Sequence, residues 1–197
     1  MASKKPKRNA YTAIFPVFLL CGLTCLGSCA TGAGSGKDLP YAYLTDTSRY
    51  ILLPTGGIGE SMDMAQYISA SFRDSVFLFA SWVKADETAI EITLLNEMGT
   101  NIGELSYRGG AIAFSSAVFP SSVKPEYIIA DFQLCFYRAP LLEKALRDCG
   151  LTMETSAAGR RVTRGKELIY EIEKNDGKIK LTNYLRGYTY TLEGDFS

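Results

Sequence analysis

The sequence of 197 residues contains no histidine. Without imidazole, the chain cannot form Ser-His-Asp or Cys-His catalytic arrangements, nor any metal site that requires a histidine ligand. Carboxylate pairs are present, but Asp86 and Glu87 fall in a predicted turn, and Glu171 and Glu173 alternate toward solvent on a predicted strand. The sequence therefore predicts no catalytic residues, no metal and no cofactor.

Basic charge is scarce in most of the chain. Four of the 21 basic residues, and none of the 21 acidic residues, precede Cys29. The remainder therefore carries a net charge of about −4, whereas a nucleic-acid-binding surface needs clustered Lys and Arg. This composition argues against a nucleic-acid partner.

Long apolar runs are also missing. The N-terminal run, residues 14–26, is interrupted by Pro16 and Gly22, and it is shorter than the about 20 apolar residues that a spanning helix needs. It follows a basic start at residues 4–8 and ends in small residues. A basic start, a short apolar stretch and a small-residue end are the order of an export signal.

The residues that end this signal resemble a bacterial lipobox. Leu26, Gly27 and Ser28 place an aliphatic residue and two small ones before Cys29. The resemblance implies cleavage before Cys29 and lipidation of its thiol, and several acyl chains on one residue suffice for stable anchoring. Ala30, rather than aspartate, follows, which by analogy favours the outer membrane, with the protein facing the periplasm.

These features predict three segments. Residues 1–28 are a signal peptide, residues 29–45 are a lipidated N-terminus with a flexible tether, and residues 46–197 are a single domain. An uncleaved membrane anchor and a redox pair of Cys25 and Cys29 are alternatives, but the anchor is too short and the spacing suits no known thiol site.

Period-two alternation of apolar residues predicts an antiparallel meander in the first half of the domain. A helical interruption and further strands follow. The predicted strands are residues 66–73, 76–83, 88–95, 102–108, 111–117, 168–172, 178–185 and 187–192, and the predicted helices are residues 124–138 and 140–149. This order indicates an α+β domain, with a curved antiparallel sheet wrapped against helices. Its concave face either encloses a ligand cavity or is filled by the helices.

Aromatic and aliphatic side chains suit the wall of a lipid pocket, although ordinary core packing explains each of them equally well. The candidate pocket residues are Tyr67, Phe79, Trp82, Ile92, Tyr107, Phe114, Phe132, Tyr188 and Tyr190.

Two cysteines follow Cys29. Cys135 and Cys149 either form a disulfide in an oxidising compartment or are two buried free thiols.

Several short segments carry a family resemblance. They are IIADFQL (residues 128–134), PLLEKAL (140–146), Arg161 and GYTYTL (187–192). In these segments the chain resembles the DUF3261 family of bacterial lipoproteins of unknown function. That family looks distantly like the outer-membrane lipoprotein receptor LolB and its periplasmic carrier. The resemblance covers about residues 50–193 and implies a half-open β-barrel with helices capping its mouth and an apolar pocket.

The resemblance implies a protein that binds or hands over an amphiphilic ligand, lipid or polyene-like, with a periplasmic lipid-carrier protein as partner. LolB-type proteins also use a protruding apolar loop, whereas the candidate turns here, residues 85–87 and 96–101, are polar except for Met98. Insertion of lipoproteins is therefore not expected, while transfer of another amphiphile is. One alternative is a structural or assembly lipoprotein with a filled core; the other is an enzyme with an unrecognised site.

Overall fold

A computed structural model describes residues 39–119 and 123–196. Residues Asp38–Ser197 form one compact unit with its own hydrophobic core. The elements are β1 (Tyr41–Tyr43), β2 (Arg49–Ile51), a 3₁₀ turn (Thr55–Gly57), β3 (Met62–Phe72), β4 (Ser75–Ala85), β5 (Ala89–Leu95), β6 (Asn101–Arg108), β7 (Ala111–Ser116), α1 (Pro125–Phe136), α2 (Ala139–Asp148), β8 (Thr152–Ser156), β9 (Gly159–Arg164), β10 (Glu167–Asn175), β11 (Lys178–Asn183) and β12 (Tyr188–Gly194).

Ten of the strands form one antiparallel sheet. Their order is β7-β6-β5-β4-β3-β12-β11-β10-β9-β8, and β1 pairs with β2 in a separate two-stranded sheet. The last strand, β12, pairs with β3, so the two halves of the chain meet in the middle of the sheet. The sheet has two edges, β7 and β8, and is not closed into a barrel. The predicted α+β class, an antiparallel sheet with two helices, is confirmed.

Four strands were not predicted: β1, β2, β8 and β9. The first of them lies in the segment that the sequence assigned to the tether. Ala42 and Leu44 are buried in the core because the alternation in residues 41–44 turns every second side chain inward. The folded unit therefore begins before residue 46.

Helix α1 is enclosed by the sheet. Its residues 129–135 are all buried, and the helix contacts β7 at one edge of the sheet and β11 in the other half. The sheet must curve around the helix to make both contacts. A helix that is apolar on nearly all sides belongs in an interior. We call the face of the sheet that packs on α1 the inner face.

One buried glutamine holds α1 to the segment after β2. Gln133 accepts hydrogen bonds at Oε1 from the Tyr50 hydroxyl (2.9 Å) and the Leu53 amide (3.0 Å). Its Nε2 donates to the Leu53 carbonyl (2.7 Å), which also accepts from the Tyr107 hydroxyl (3.0 Å). Every hydrogen-bonding group of this side-chain amide except one N–H is used, so the network fixes the depth of the helix in the fold.

The carboxyl-terminal end of α1 is capped by an arginine from β9. Arg160 donates from Nη1 to the Leu134 carbonyl and from Nη2 to the Tyr137 carbonyl, both at 2.6 Å. The last carbonyl groups of a helix lack partners within the helix and carry partial negative charge. The guanidinium satisfies two such groups and neutralises this end of the helix.

Candidate functional site

Seven of the nine candidate pocket residues lie inside the fold. Alternation along each strand places their side chains on one face, and the strand register carries that face across the sheet. Phe79, Ile92, Tyr107, Phe114, Tyr188 and Tyr190 lie on the inner face, and Phe132 faces them from α1.

The remaining two lie on the opposite, outer face and do not line a pocket with the others. Tyr67 is 72% exposed and Trp82 is 48% exposed. Trp82 donates from Nε1 to Oδ1 of Asp63 at 2.8 Å, which fixes the indole on the outer surface. The sequence could not assign these faces because β3 and β4 carry apolar residues on both.

The inner-face aromatic residues pack against one another and against α1. The ring centres of Phe79 and Phe119 lie 6.0 Å apart, and those of Phe114 and Phe119 lie 6.5 Å apart. Phe132 and Phe136 of α1 are closer, at 4.7 Å. Within the described residues, the concave face is therefore occupied by a helix and its aromatic contacts.

A buried carboxyl group lies among these aromatic residues. The Tyr188 hydroxyl donates to Oδ2 of Asp131 at 2.6 Å, while Asp131 Oδ1, the Tyr170 hydroxyl and Asn183 Nδ2 have no partner among the described residues. Burial raises the pKa of Asp131 to about 7, and the Tyr188 hydrogen bond and the Arg186 charge act in the opposite direction. Asp131 can therefore change charge near neutral pH, a property that its sequence context does not signal.

The hairpin of β3 and β4 carries exposed apolar side chains on both sides of its polar turn, Arg73-Asp74. We define the hairpin tip as Phe72, Val76, Phe77 and Leu78, which are 44%, 68%, 49% and 67% exposed. Phe72 and Phe77 lie on the inner face, and Val76 and Leu78 lie on the outer face. A tip that is apolar on both faces cannot bury itself by packing one face on the core.

The tip is exposed because β4 extends past its neighbour. Pairing of β5 with β4 begins at Ala80, opposite Leu95, so residues 75–79 pair with β3 alone. On the other side, Phe72 pairs with Tyr188 at the start of β12. The turn that precedes β12 carries the exposed side chains of Tyr184 and Leu185.

The sequence missed this surface. It predicts residues 66–73 and 76–83 only as strands, and its candidates for a protruding loop are the turns at residues 85–87 and 96–101. The apolar protrusion lies instead at the turn between β3 and β4, around Arg73, whose φ of 52° closes the hairpin. The apolar residues on both sides of the polar segment Arg73-Asp74-Ser75 are its only sequence signal.

A cleft of about 860 Å³ opens at the other end of β3. Its apolar wall consists of Met62, Met64, Phe136, Ile179 and Phe196. Two cationic side chains, Arg160 and Lys174, lie in the same cleft on neighbouring strands. Burial lowers the pKa of Lys174, and the charge of Arg160 lowers it further. None of these residues was among the candidate site residues predicted from the sequence.

The two cysteines of the folded unit, Cys135 and Cys149, are free thiols in the structure. Cys135 is buried on α1, and burial raises the pKa of its thiol to about 12. Cys149 follows α2, and its Sγ donates to the Leu146 carbonyl at 3.2 Å. The pair therefore acts as small apolar packing groups.

Residues 39–119 and 123–196 contain no group of three His, Cys, Asp or Glu side chains placed to hold a metal ion. Within the same ranges, no helix is long and apolar enough to cross a membrane. The predicted lipidation site and its recognition residues, Leu26, Gly27, Ser28 and Cys29, lie outside the described residues.

The sequence also matches a family model. Residues 63–194 match the family described as "Protein of unknown function (DUF3261)", a span that runs from β3 through the whole meander, both helices and β12. The chain is therefore a member of the DUF3261 family. No curated protein matches the chain.

Proposed function

We propose that this protein is an outer-membrane-anchored, periplasm-facing lipoprotein that binds an amphiphile and hands it over without catalysing a reaction. The ligand is lipid-like or polyene-like, and the curved sheet corresponds to a half-open barrel of the LolB type. The observation that carries the proposal is the hairpin tip, whose apolar side chains lie on both faces of the hairpin and are 44–68% exposed.

Exposed apolar surface of this kind favours contact with apolar partners. Removing apolar surface from water contributes about 25 cal/mol per Å², and contiguous exposed patches mark binding sites for proteins or membranes. On the inner face, Phe77 is followed at the next inward position by Phe79, which packs on Phe119. An acyl or polyene chain that meets the tip would find an apolar path toward the aromatic interior.

The tip also fits the proposed partners. A hairpin with Val76 and Leu78 on one face and Phe72 and Phe77 on the other can enter the interface of a bilayer or the apolar groove of a periplasmic carrier. The Arg73 guanidinium lies 5.1 Å from the ring centre of Phe72, where it would meet lipid phosphate groups once the ring is inserted. Aromatic and basic residues together are typical of interfacial segments.

The test uses a chain that begins at Asp38, since that unit contains the whole core. Flotation with vesicles of phosphatidylethanolamine and phosphatidylglycerol measures partitioning. For the combined Val76→Ser, Phe77→Ser and Leu78→Ser variant, the partition coefficient into vesicles should fall by about tenfold or more, because three exposed apolar side chains are lost. The matched control, Tyr67→Ser with Ile51→Ser, removes exposed apolar side chains elsewhere and should behave as the wild type.

A structural or assembly role is the second candidate, and the enclosure of α1 favours it because the concave face already holds a helix. Native mass spectrometry of the purified chain and uptake of a fluorescent fatty acid separate the two functions. Co-purified lipid or probe uptake supports amphiphile transfer. A chain without lipid that takes up no probe, and whose tip variant floats like the wild type, contradicts it and supports the structural role.

A further inference from the structure

The cleft at the carboxyl-terminal end of α1 has the composition of a site for a charged ligand with an apolar tail. Its lining contains four cationic side chains, those of Arg138, Arg160, Lys174 and Lys178, and a wall of methionine, isoleucine and phenylalanine side chains. Its volume of about 860 Å³ falls within the roughly 300–1,000 Å³ of small-molecule pockets. It lies at the Met62 end of β3, whereas the hairpin tip lies at the Phe72 end, so the two sites are separate.

Two of these cations, Arg160 and Lys174, are held close together by the neighbouring strands β9 and β10. Arg160 pairs with Ile172 across β9 and β10, and Lys174 follows Ile172 by two residues on the same face. Arg160 is buried, and both of its terminal nitrogens bond to carbonyl groups of the α1 end. Its position is therefore fixed.

Lys174 lacks an equivalent partner. Its ammonium group makes no hydrogen bond and no ion pair with the described residues, although the residue is largely buried. Burial lowers the pKa of Lys174, the positive charge of Arg160 lowers it further, and Glu60 at the cleft partly offsets both effects without forming an ion pair. Two like charges in a partly desolvated site repel each other, and an anion bound between them would relieve that repulsion.

The rim of the cleft limits how much negative charge a ligand can carry. Glu60, Asp176 and Asp195 line it, together with Asp63, which Trp82 holds by a hydrogen bond. These carboxylates would repel a highly charged anion. A single negative charge beside Lys174 gains the attraction of both cations and avoids most of that repulsion.

We propose that this cleft binds the head group of a singly charged anionic amphiphile, with Lys174 as the contacting cation and Arg160 as its fixed neighbour. The proximal part of the apolar tail lies against Met62, Met64 and Phe136. A fatty-acid carboxylate and a phosphodiester lipid share this chemistry. The inference names the ligand class of the proposed transfer function and in that respect rests on it.

Calorimetric titration of the chain from Asp38 tests the site with three probes of equal tail length, below their critical micelle concentrations. These are laurate, lauroyl-lysophosphatidylglycerol and the zwitterionic lauroyl-lysophosphatidylcholine. The two anionic probes should bind, and Lys174→Gln should weaken them by about tenfold while Lys174→Arg retains binding. Preference for laurate assigns a carboxylate head group; preference for the phosphatidylglycerol probe assigns a phosphodiester.

The matched control is Lys178→Gln, since Lys178 also lines the cleft but pairs with Glu193 at 2.9 Å. It should change the affinity by less than about twofold. Lys174→Met replaces the ammonium by an apolar group of similar length and tests the charge if the glutamine variant loses its thermal unfolding transition. Equal binding of all three probes, or unchanged affinity in Lys174→Gln and Lys174→Met, overturns the proposal.

The hairpin-tip variant separates this inference from the proposed function. If it loses vesicle flotation but still binds laurate in a Lys174-dependent way, the cleft is confirmed as an independent site. If the tip is inert on vesicles while the cleft binds its probe, the handover function fails and the anion site stands. If neither anionic probe binds, the proposal of an anion site is refuted, while the proposed transfer function is unaffected.

Discussion

A side chain at Gly159 would collide with the carbonyl oxygen of Ile172. A Cβ atom built on Gly159 overlaps this oxygen, and the φ of Gly159 is 142°, a value that residues with a side chain rarely adopt. Glycine is therefore required where β9 begins, on the strand that delivers Arg160 to the end of α1.

Gly159→Ala should destabilise the protein by about 3 kcal/mol or more, because both the backbone angle and the overlap must be relieved. Urea unfolding followed by circular dichroism measures the loss. Gly165→Ala is the matched control, since its φ is 60° but nothing lies within 4 Å of its Cβ position; it should cost about 1 kcal/mol. Equal costs for the two variants would contradict the steric argument.

Asp131 should make stability depend on pH. Its folded-state pKa of about 7 lies above the reference value of 3.8, so between these values the folded state holds a proton that the unfolded state has released. This contribution to stability is fully present below about pH 4 and is lost as the pH rises to about 7. Asp131→Asn cannot ionise, and its stability relative to wild type should increase by about 2–3 kcal/mol between pH 5 and pH 8.

Urea unfolding of both proteins at the two pH values checks this prediction. Asp86→Asn should show the opposite pH dependence of stability, because hydrogen bonds from the side chain and amide of Thr88 lower the pKa of Asp86. The Asp86 carboxylate of the wild type stabilises the fold at pH 8, and this contribution disappears as the pH falls through the folded-state pKa of Asp86. A pH-independent difference between wild type and Asp131→Asn would mean that the carboxyl is not desolvated.

Gln133→Ala should be among the most destabilising polar substitutions in the chain. It removes the partners of the Tyr50 hydroxyl and the Leu53 amide in a buried site, and each orphaned group costs about 1–3 kcal/mol. We expect a total of about 3 kcal/mol or more in urea unfolding. Tyr50→Phe removes a single hydrogen bond and should cost about 1 kcal/mol. If the two variants unfold at the same urea concentration, the network does not hold α1.

Replacing Cys29 tests the membrane anchor. Cys29→Ser should abolish incorporation of radiolabelled palmitate and release the protein from the outer-membrane fraction, because the acyl chains supply the stable anchoring. Cys21→Ser and Cys25→Ser are matched controls within the predicted signal peptide and should label normally. Labelling of the Cys29→Ser protein would refute the lipobox assignment.

The strands with regular alternation could be predicted from the sequence. Ile90, Ile92 and Leu94 occupy one face of β5, and Gly109-Gly110 forms the turn between β6 and β7. The starts of both helices were marked by Pro125 and Pro140, which stand in the first turns. These signals are local, and each depends only on neighbours in the sequence.

Strands β8 and β9 escaped prediction because their alternation is masked by polar residues. On β9, Val162 turns inward as expected of a strand, but the other inward residue is Arg160. An arginine suits an interior only when groups from elsewhere bond to it, and here these are two carbonyl groups from α1. No local pattern contains that information.

The hairpin tip escaped prediction for a different reason. Val76, Phe77 and Leu78 have the apolar character of a core strand, and their exposure results from the position at which β5 stops. Burial on a sheet depends on the lengths and register of neighbouring strands. These are properties of the assembled sheet, so the apolar residues alone could not show whether their side chains are buried or exposed.

The enclosure of α1 also governs how this chain must fold. The helix comes between the two halves of the sheet in the sequence, and the halves are joined by pairing of β3 with β12, more than a hundred residues apart. Neither half can shield its inner side chains before the helix is in place. Distant pairings of this kind slow folding, so the chain passes through a period in which strands β3 to β7 exist before β12 pairs with β3.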